Sequence, residues 1–136
     1  MVKQSFKTMT AVSFVFLILS VLSILLVCVV PRLIVRSLYN ENAEPIRTAI
    51  SASVKGDNVK ARKEILKVTK SLDSKKKLLM FFYDHNAVTA LTGAAETALW
   101  LSETDEKAQL AAELRGIERA FESLMLTDEI SLKSIF

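Results

Sequence analysis

Polar and apolar positions along the chain follow two different regimes. From Thr8 to Pro31 there is no charged residue, a run of 24 positions. At about 1.5 Å rise per residue that is roughly 36 Å of helix, more than the ~30 Å hydrocarbon core of a bilayer. Beyond residue 45 the apolar positions recur instead in steps of three and four. Ala61, Ile65, Val68, Leu72, Leu79 and Phe82 form one such stripe, with Lys75 in the slot where the heptad calls for another apolar residue. Leu110, Leu114, Ile117, Phe121 and Leu124 form a second, and Ile46, Ala49, Ile50 and Ser53 mark a shorter helix ahead of both.

The stretch between the two long stripes differs in kind. Ala87, Ala90, Gly93, Ala94, Ala95 and Ala98 make it thin, while Val88, Leu91 and Leu99 supply a partly separate apolar stripe. Thin helices let neighbours approach to about 8 Å, so this one is expected at the centre of the packing. Gly116 in the last helix costs about 1 kcal/mol against alanine unless it serves a similar close approach.

Punctuation between these segments is sparse. Gly56 reads as a helix stop and Asp57 as the next N-cap; Asp84 caps the third helix, and "SETDE" at 102–106 precedes the fourth. With two prolines, three glycines and no strand-like alternation, the fold class is all-α. The expected architecture is a single N-terminal transmembrane helix followed by a small antiparallel bundle of about four helices, arranged as two stacked hairpins. Residues 1–36 are the tail and anchor, 37–45 a polar connector, and 46–136 the bundle. In the connector, Asn40 or Asn42 is a candidate cap and Pro45 suits a first turn; a bent but continuous helix is the alternative. Pro31 is expected to kink the anchor as it leaves the membrane. A faint internal similarity links Ala49–Leu72 with Ala98–Phe121, each a helix end, an aspartate turn and an amphipathic helix.

The apolar run reads as a retained signal-anchor. A cleavable signal has an apolar core of about 7–15 residues and small residues before its cut site, and Val27, Cys28, Val29 and Val30 supply none of that pattern. Leu25-Leu26-Val27-Cys28 resembles a lipid-attachment box, but Val27 stands where a small residue belongs. Cys28 is the single cysteine, so it reads as a small apolar side chain within the membrane. Lys3 and Lys7 flank one side and Arg32 and Arg36 the other. A short tail before a first span favours a cytoplasmic N-terminus and a domain outside the cytoplasm, at the cell membrane.

Charge changes the picture more than composition does. The net charge of +3 hides a division: residues 55–77 hold nine basic and three acidic residues, whereas residues 84–136 hold four basic and ten acidic. The expectation is that the second helix pairs with acidic neighbours along the edges of the bundle. The competing reading makes Lys60, Lys63, Lys67, Lys70, Lys75, Lys76 and Lys77 a basic docking or lipid-headgroup face. Nucleic acid is not an expected partner of a membrane-anchored chain.

The last stretch of the chain carries a family likeness. "FFYDHNAVTALTGAAETALWL", "DEKAQLAAELRGIERAFESL" and the closing "EISLKSIF" resemble an uncharacterised family of short Gram-positive bacterial proteins that join one membrane helix to an all-helical domain. The resemblance implies architecture and membrane location, with no activity attached. Members often carry acidic residues just after the histidine, where this chain has Asn86, Ala87 and Val88.

Chemistry-bearing constellations are few. His85 is the single histidine, with Asp84 beside it and Glu96 and Glu103 the next carboxylates downstream, and it reads as a helix-start residue. There is no glycine elbow around a serine, no phosphate loop and no Cys–His pair. The chain is therefore expected to be no enzyme and to use no cofactor or metal. Phe81, Phe82, Tyr83 and Trp100 are expected to plug the open end of the bundle. In the anchor, Ser13, Ser20 and Ser23 project within about 80° of one another and form a candidate face towards a second membrane helix, although bonding back to their own helix is the commoner fate. The leading expectation is a membrane-anchored interaction module, an accessory partner of another membrane protein. The alternatives are an extracytoplasmic small-ligand sensor, signalling through a partner subunit because no second domain follows, and a self-associating structural membrane protein that forms homo-oligomers.

Overall fold

The computed structural model describes the backbone of residues 2–133 and the side chains of residues 7–127. It comprises four helices, α1 (Val2–Lys55), α2 (Asn58–Phe82), α3 (His85–Leu101) and α4 (Lys107–Lys133), with no strand among the described residues. Contacts divide the chain into two units between Leu33 and Ile34.

The first unit is the apolar part of α1. Among the described residues, α1 is the one helix long and apolar enough to cross a membrane, and no residue of its apolar window is buried. Phe14, Phe16, Ile24 and Val27 all project outward. Pro31 lies inside this helix.

In the second unit all four helices contribute to one core. From α1 come Val35, Leu38, Ile46, Ala49 and Ala52; α2 adds Ala61, Ile65, Val68, Leu72 and Leu79. α4 adds Leu110, Leu114, Ile117, Phe121 and Leu124, the whole stripe expected of it. Where the α2 stripe skips a turn, Lys75 is exposed and Lys76 half-buried, and Phe82 at its end is half-buried as well. α3 packs against both α2 and α4, burying Val88, Leu91, Ala95 and Ala98.

Residues 37–45 are helical and lie within α1, which is the continuous-helix alternative. Asn42 does not cap anything. It is buried, and its Nδ2 donates to Leu38 O at 2.8 Å and to Ser71 Oγ of α2 at 3.0 Å. A buried amide requires such partners, and here they fix the register of α1 against α2. Two further contacts set α1 against α4: the Tyr39 and Phe121 rings meet edge to face with centroids 6.1 Å apart, and Ser53 Oγ donates to Lys107 O at 3.2 Å.

Gly56 ends α1 in the left-handed region, with φ of 81°. Its N–H donates to Ser53 O and that of Asp57 to Ala52 O, the two-bond closure of a Schellman turn. Asp57 and Asp84 then cap α2 and α3, accepting from the N–H groups of Lys60 and Ala87. Gly116 mediates no close approach, which leaves the helical cost of a glycine in place. It is exposed, and a Cβ built there meets nothing within 4 Å; the same holds for a Cβ at the half-buried Gly93.

Candidate functional site

Helical phase explains how α2 displays its charges. Successive residues turn by about 100°, so positions two and nine residues from the buried Leu79 and Leu72 fall on the opposite side. Lys63, Lys67, Lys70, Ser74, Lys77 and Phe81 share that outer line, and all are exposed. No acidic residue lies on it. Lys60 falls to one side of the line, while Lys75 and Lys76 flank the core stripe, so the seven lysines of the basic segment do not form one surface.

Charge pairing accounts for only part of the segment. Arg62 Nη1 reaches Glu103 Oε1 at 2.6 Å, linking α2 to the residue just beyond α3, and both side chains are about half exposed. Lys67 Nζ pairs with Glu64 one turn back, at 2.9 Å. Exposed pairs of this kind contribute about 0–1 kcal/mol. Lys63, Lys70, Lys75 and Lys77 meet no carboxylate among the described residues. One reason lies in the neighbouring helix, since α3 carries a single carboxylate, Glu96, and that one is exposed.

Of the four aromatic residues expected to plug one end, Phe81 and Trp100 are exposed, whereas Phe82 and Tyr83 are half-buried and Tyr83 packs against the core. Phe81 is 81% exposed and stacks edge to face on Phe82 with ring centroids 4.9 Å apart; Trp100 is 62% exposed near the other end of α3. The two lie on separate parts of the unit: Trp100 is close in sequence to Glu103, which meets Arg62 early in α2, whereas Phe81 lies in the last turn of α2. Position 81 stands two residues past a core position, so the stripe that buries Leu79 turns Phe81 outward. On α3, Thr89, Ala90, Thr97 and Trp100 are exposed beside the half-buried Gly93, and Glu96 is the one charge in their midst.

A shallow depression of about 390 Å³ opens at the junction of α1 and α2. Its lining includes three basic residues, Arg47, Lys55 and Lys60, and two acidic ones, Glu44 and Asp57. The buried polar side chains elsewhere are satisfied within the unit: besides Asn42 and Ser53, Thr92 donates to Val88 O and Ser102 to Leu99 O. Asn58 Oδ1 is buried with no donor.

His85 is the exposed first residue of α3, and no three His, Cys, Asp or Glu side chains converge among the described residues. In α1, Ser13, Ser20 and Ser23 donate back to Met9 O, Phe16 O and Leu19 O at 2.8–2.9 Å. Their hydroxyl protons are thereby engaged, although each oxygen retains an acceptor site towards a neighbour. Compared with protein-family models, curated proteins and solved structures, the chain shows no match.

Proposed function

We propose that this protein is a single-pass membrane protein whose helical domain, outside the cytoplasm, binds another membrane protein as an accessory subunit. Its second unit is read as an antiparallel bundle of two stacked hairpins. Supporting that topology, Asn42 meets Ser71 across the α1–α2 turn, Arg62 meets Glu103 across the α2–α3 turn, and Ser53 and Tyr39 meet Lys107 and Phe121 in reverse order. The N-terminal apolar run is the anchor, which concentrates the domain beside its neighbours, to about the millimolar range.

The observation that carries the reading is Trp100. A large aromatic side chain, 62% exposed, ends an outer helical face that bears one charge. Exposed aromatics of this kind are the side chains that most often anchor protein interfaces. The test is a photo-crosslinking residue at Thr97 in the full chain, irradiated in native membranes. An adduct with an integral membrane protein, lost in Trp100→Ala, is the expected result. Only monomer, or an adduct indifferent to Trp100→Ala, refutes the reading.

The depression at the α1–α2 junction favours one alternative, a sensor for a small anion held by Arg47, Lys55 and Lys60. Saturable stabilisation of the full chain by such an anion, abolished in Arg47→Gln, would move the assignment there.

A further inference from the structure

Lysines on the outer line of α2 lack counter-charges. Lys63, Lys70 and Lys77 are exposed and meet no carboxylate among the described residues. Lys67, on the same line, is engaged from one side by Glu64, whose carboxylate oxygens it meets at 2.9 and 3.0 Å. Ser74 bonds back to Ser71 O, and Phe81, 81% exposed, closes the line. Like charges one turn apart repel along a helix, so the row by itself opposes folding.

The spacing of the row points to what fits it. Lys63, Lys70 and Lys77 lie seven residues apart, and Lys67, Ser74 and Phe81 each follow four residues later. At 1.5 Å rise per residue the unpaired lysines recur every ~10.5 Å. On a straight helix a seven-residue repeat drifts by about 20° each time, and a second helix crossing at about 20° stays over it. An extended chain presents same-side residues every ~6.6 Å and falls out of step with that repeat. By pitch the fitting occupant is a helix, and by charge it is acidic. No helix of this chain offers such a row among the described residues. α3 carries Glu96 alone, α4 interleaves its glutamates with Arg115 and Arg119, and α1 sets Glu41 and Glu44 between Arg36 and Arg47. A second copy therefore presents no matching surface, and the occupant belongs to another protein.

We infer that the outer line of α2 is a docking seam for an acidic amphipathic helix of a partner protein. Carboxylates at steps of three and four on that helix meet Lys63, Lys70 and Lys77, and an apolar residue of it covers Phe81. Neither the α3 face nor the placement of the apolar helix enters the inference. Each exposed lysine–carboxylate pair shifts binding by up to about fivefold, so the three together are expected to change affinity by roughly tenfold or more. A large aromatic at the end of the seam supplies the contact that fixes register.

The test uses the full chain in a mild non-ionic detergent and fluorescein-labelled peptide probes. One probe is a helix with glutamates at heptad spacing on a single seam and a leucine at its end. A second has the same composition and helicity, with its glutamates dispersed around the helix. The third is poly-glutamate of equal charge, unfolded at neutral pH. Fluorescence anisotropy should give the seam helix a Kd at least about tenfold lower than the other two. About 1 M salt should remove that advantage. Lys63→Gln, Lys70→Gln and Lys77→Gln combined should bring the seam helix to the level of the dispersed one, and Phe81→Ala should also weaken it. Lys75→Gln, exposed but off the line, should leave it unchanged. All these positions lie on the surface, and unchanged circular dichroism separates lost binding from lost fold. No binding of the seam helix, equal affinity for all three probes, or an affinity indifferent to the three lysines overturns the proposal. Inorganic polyphosphate binding as tightly as the seam helix overturns it as well, and assigns the row to polyanions at large.

Discussion

Where the helical unit begins is a question of energy that truncation answers. Sequence pattern alone starts the domain at residue 46, whereas contacts start it at Ile34. A chain cut to 46–136 loses Val35 and Leu38, which are 1% and 2% exposed, at about 1.5–3 kcal/mol each. It also loses the edge-to-face contact of Tyr39 with Phe121, worth about 0.5–1.5 kcal/mol. The bond from Asn42 to Ser71 contributes about 0.5–1.5 kcal/mol more. Together these come to about 4–9 kcal/mol, against a total stability of about 5–15 kcal/mol for a small domain. The deletion also bares Phe121, which is fully buried in the intact unit. Urea titration followed by far-ultraviolet circular dichroism compares the two fragments. Residues 34–136 should unfold cooperatively. Residues 46–136 should show either no cooperative transition or a midpoint lower by at least about 1.3 M, taking a slope of 1–3 kcal/mol/M. Equal midpoints would mean that residues 34–45 contribute nothing to the core, and the packing argument fails.

Three further outcomes follow from the packing of the unit. Gly116→Ala should stabilise fragment 34–136 by up to about 1 kcal/mol, read as a rise in melting temperature of about 4–8 °C, because the new methyl meets open space. Leu114→Ala, at a fully buried site, should cost about 2–5 kcal/mol in the same titration. Gly56→Ala should destabilise by about 1–2 kcal/mol, since φ of 81° strains any residue with a Cβ, and Lys107 Nζ lies 2.8 Å from where that Cβ would stand. For topology, Lys107→Cys in a Cys28→Ser background should react with a membrane-impermeant thiol reagent in intact spheroplasts. Labelling only after lysis would place the domain in the cytoplasm.

Periodic signals were legible in the sequence where local and tertiary preferences agree. The stripes of α2 and α4 and the caps at Asp57 and Asp84 appear where spacing puts them, because each residue's local preference is also its packed state. Residues 37–45 were ambiguous for the opposite reason. Asn42 and Pro45 signal a helix boundary locally, yet burial of Asn42 against Ser71 and the helix carbonyl of Leu38 overrides that signal. Phe81 misled because aromatic character suggests burial, while the α2 stripe already assigned its position to the outside. The exposed face of α3 went unnoticed because small residues suggest close packing, whether or not a neighbour exists in the same chain. Neither the buried bond of Ser53 to Lys107 nor the depression beside Arg47 had a sequence signal, since the first depends on α4 returning to the end of α1 and the second on the geometry of the α1–α2 turn.

The bond from Ser53 to Lys107 also carries a consequence for the order of synthesis. It joins residues 54 positions apart, whereas α2, α3 and α4 are connected by short turns and find their partners locally. Contacts between distant segments form late, because loop closure must precede the gain they bring. Until α4 has been made, the face of α1 that meets Lys107 and Phe121 has no permanent cover. At about 5–20 residues per second, its apolar side chains wait several seconds beside a far more apolar segment of the same helix. That interval is when this chain is most exposed to misassembly. The buried amide of Asn42 then favours one partner during that interval, because α2 offers it the hydroxyl of Ser71 and an apolar surface does not.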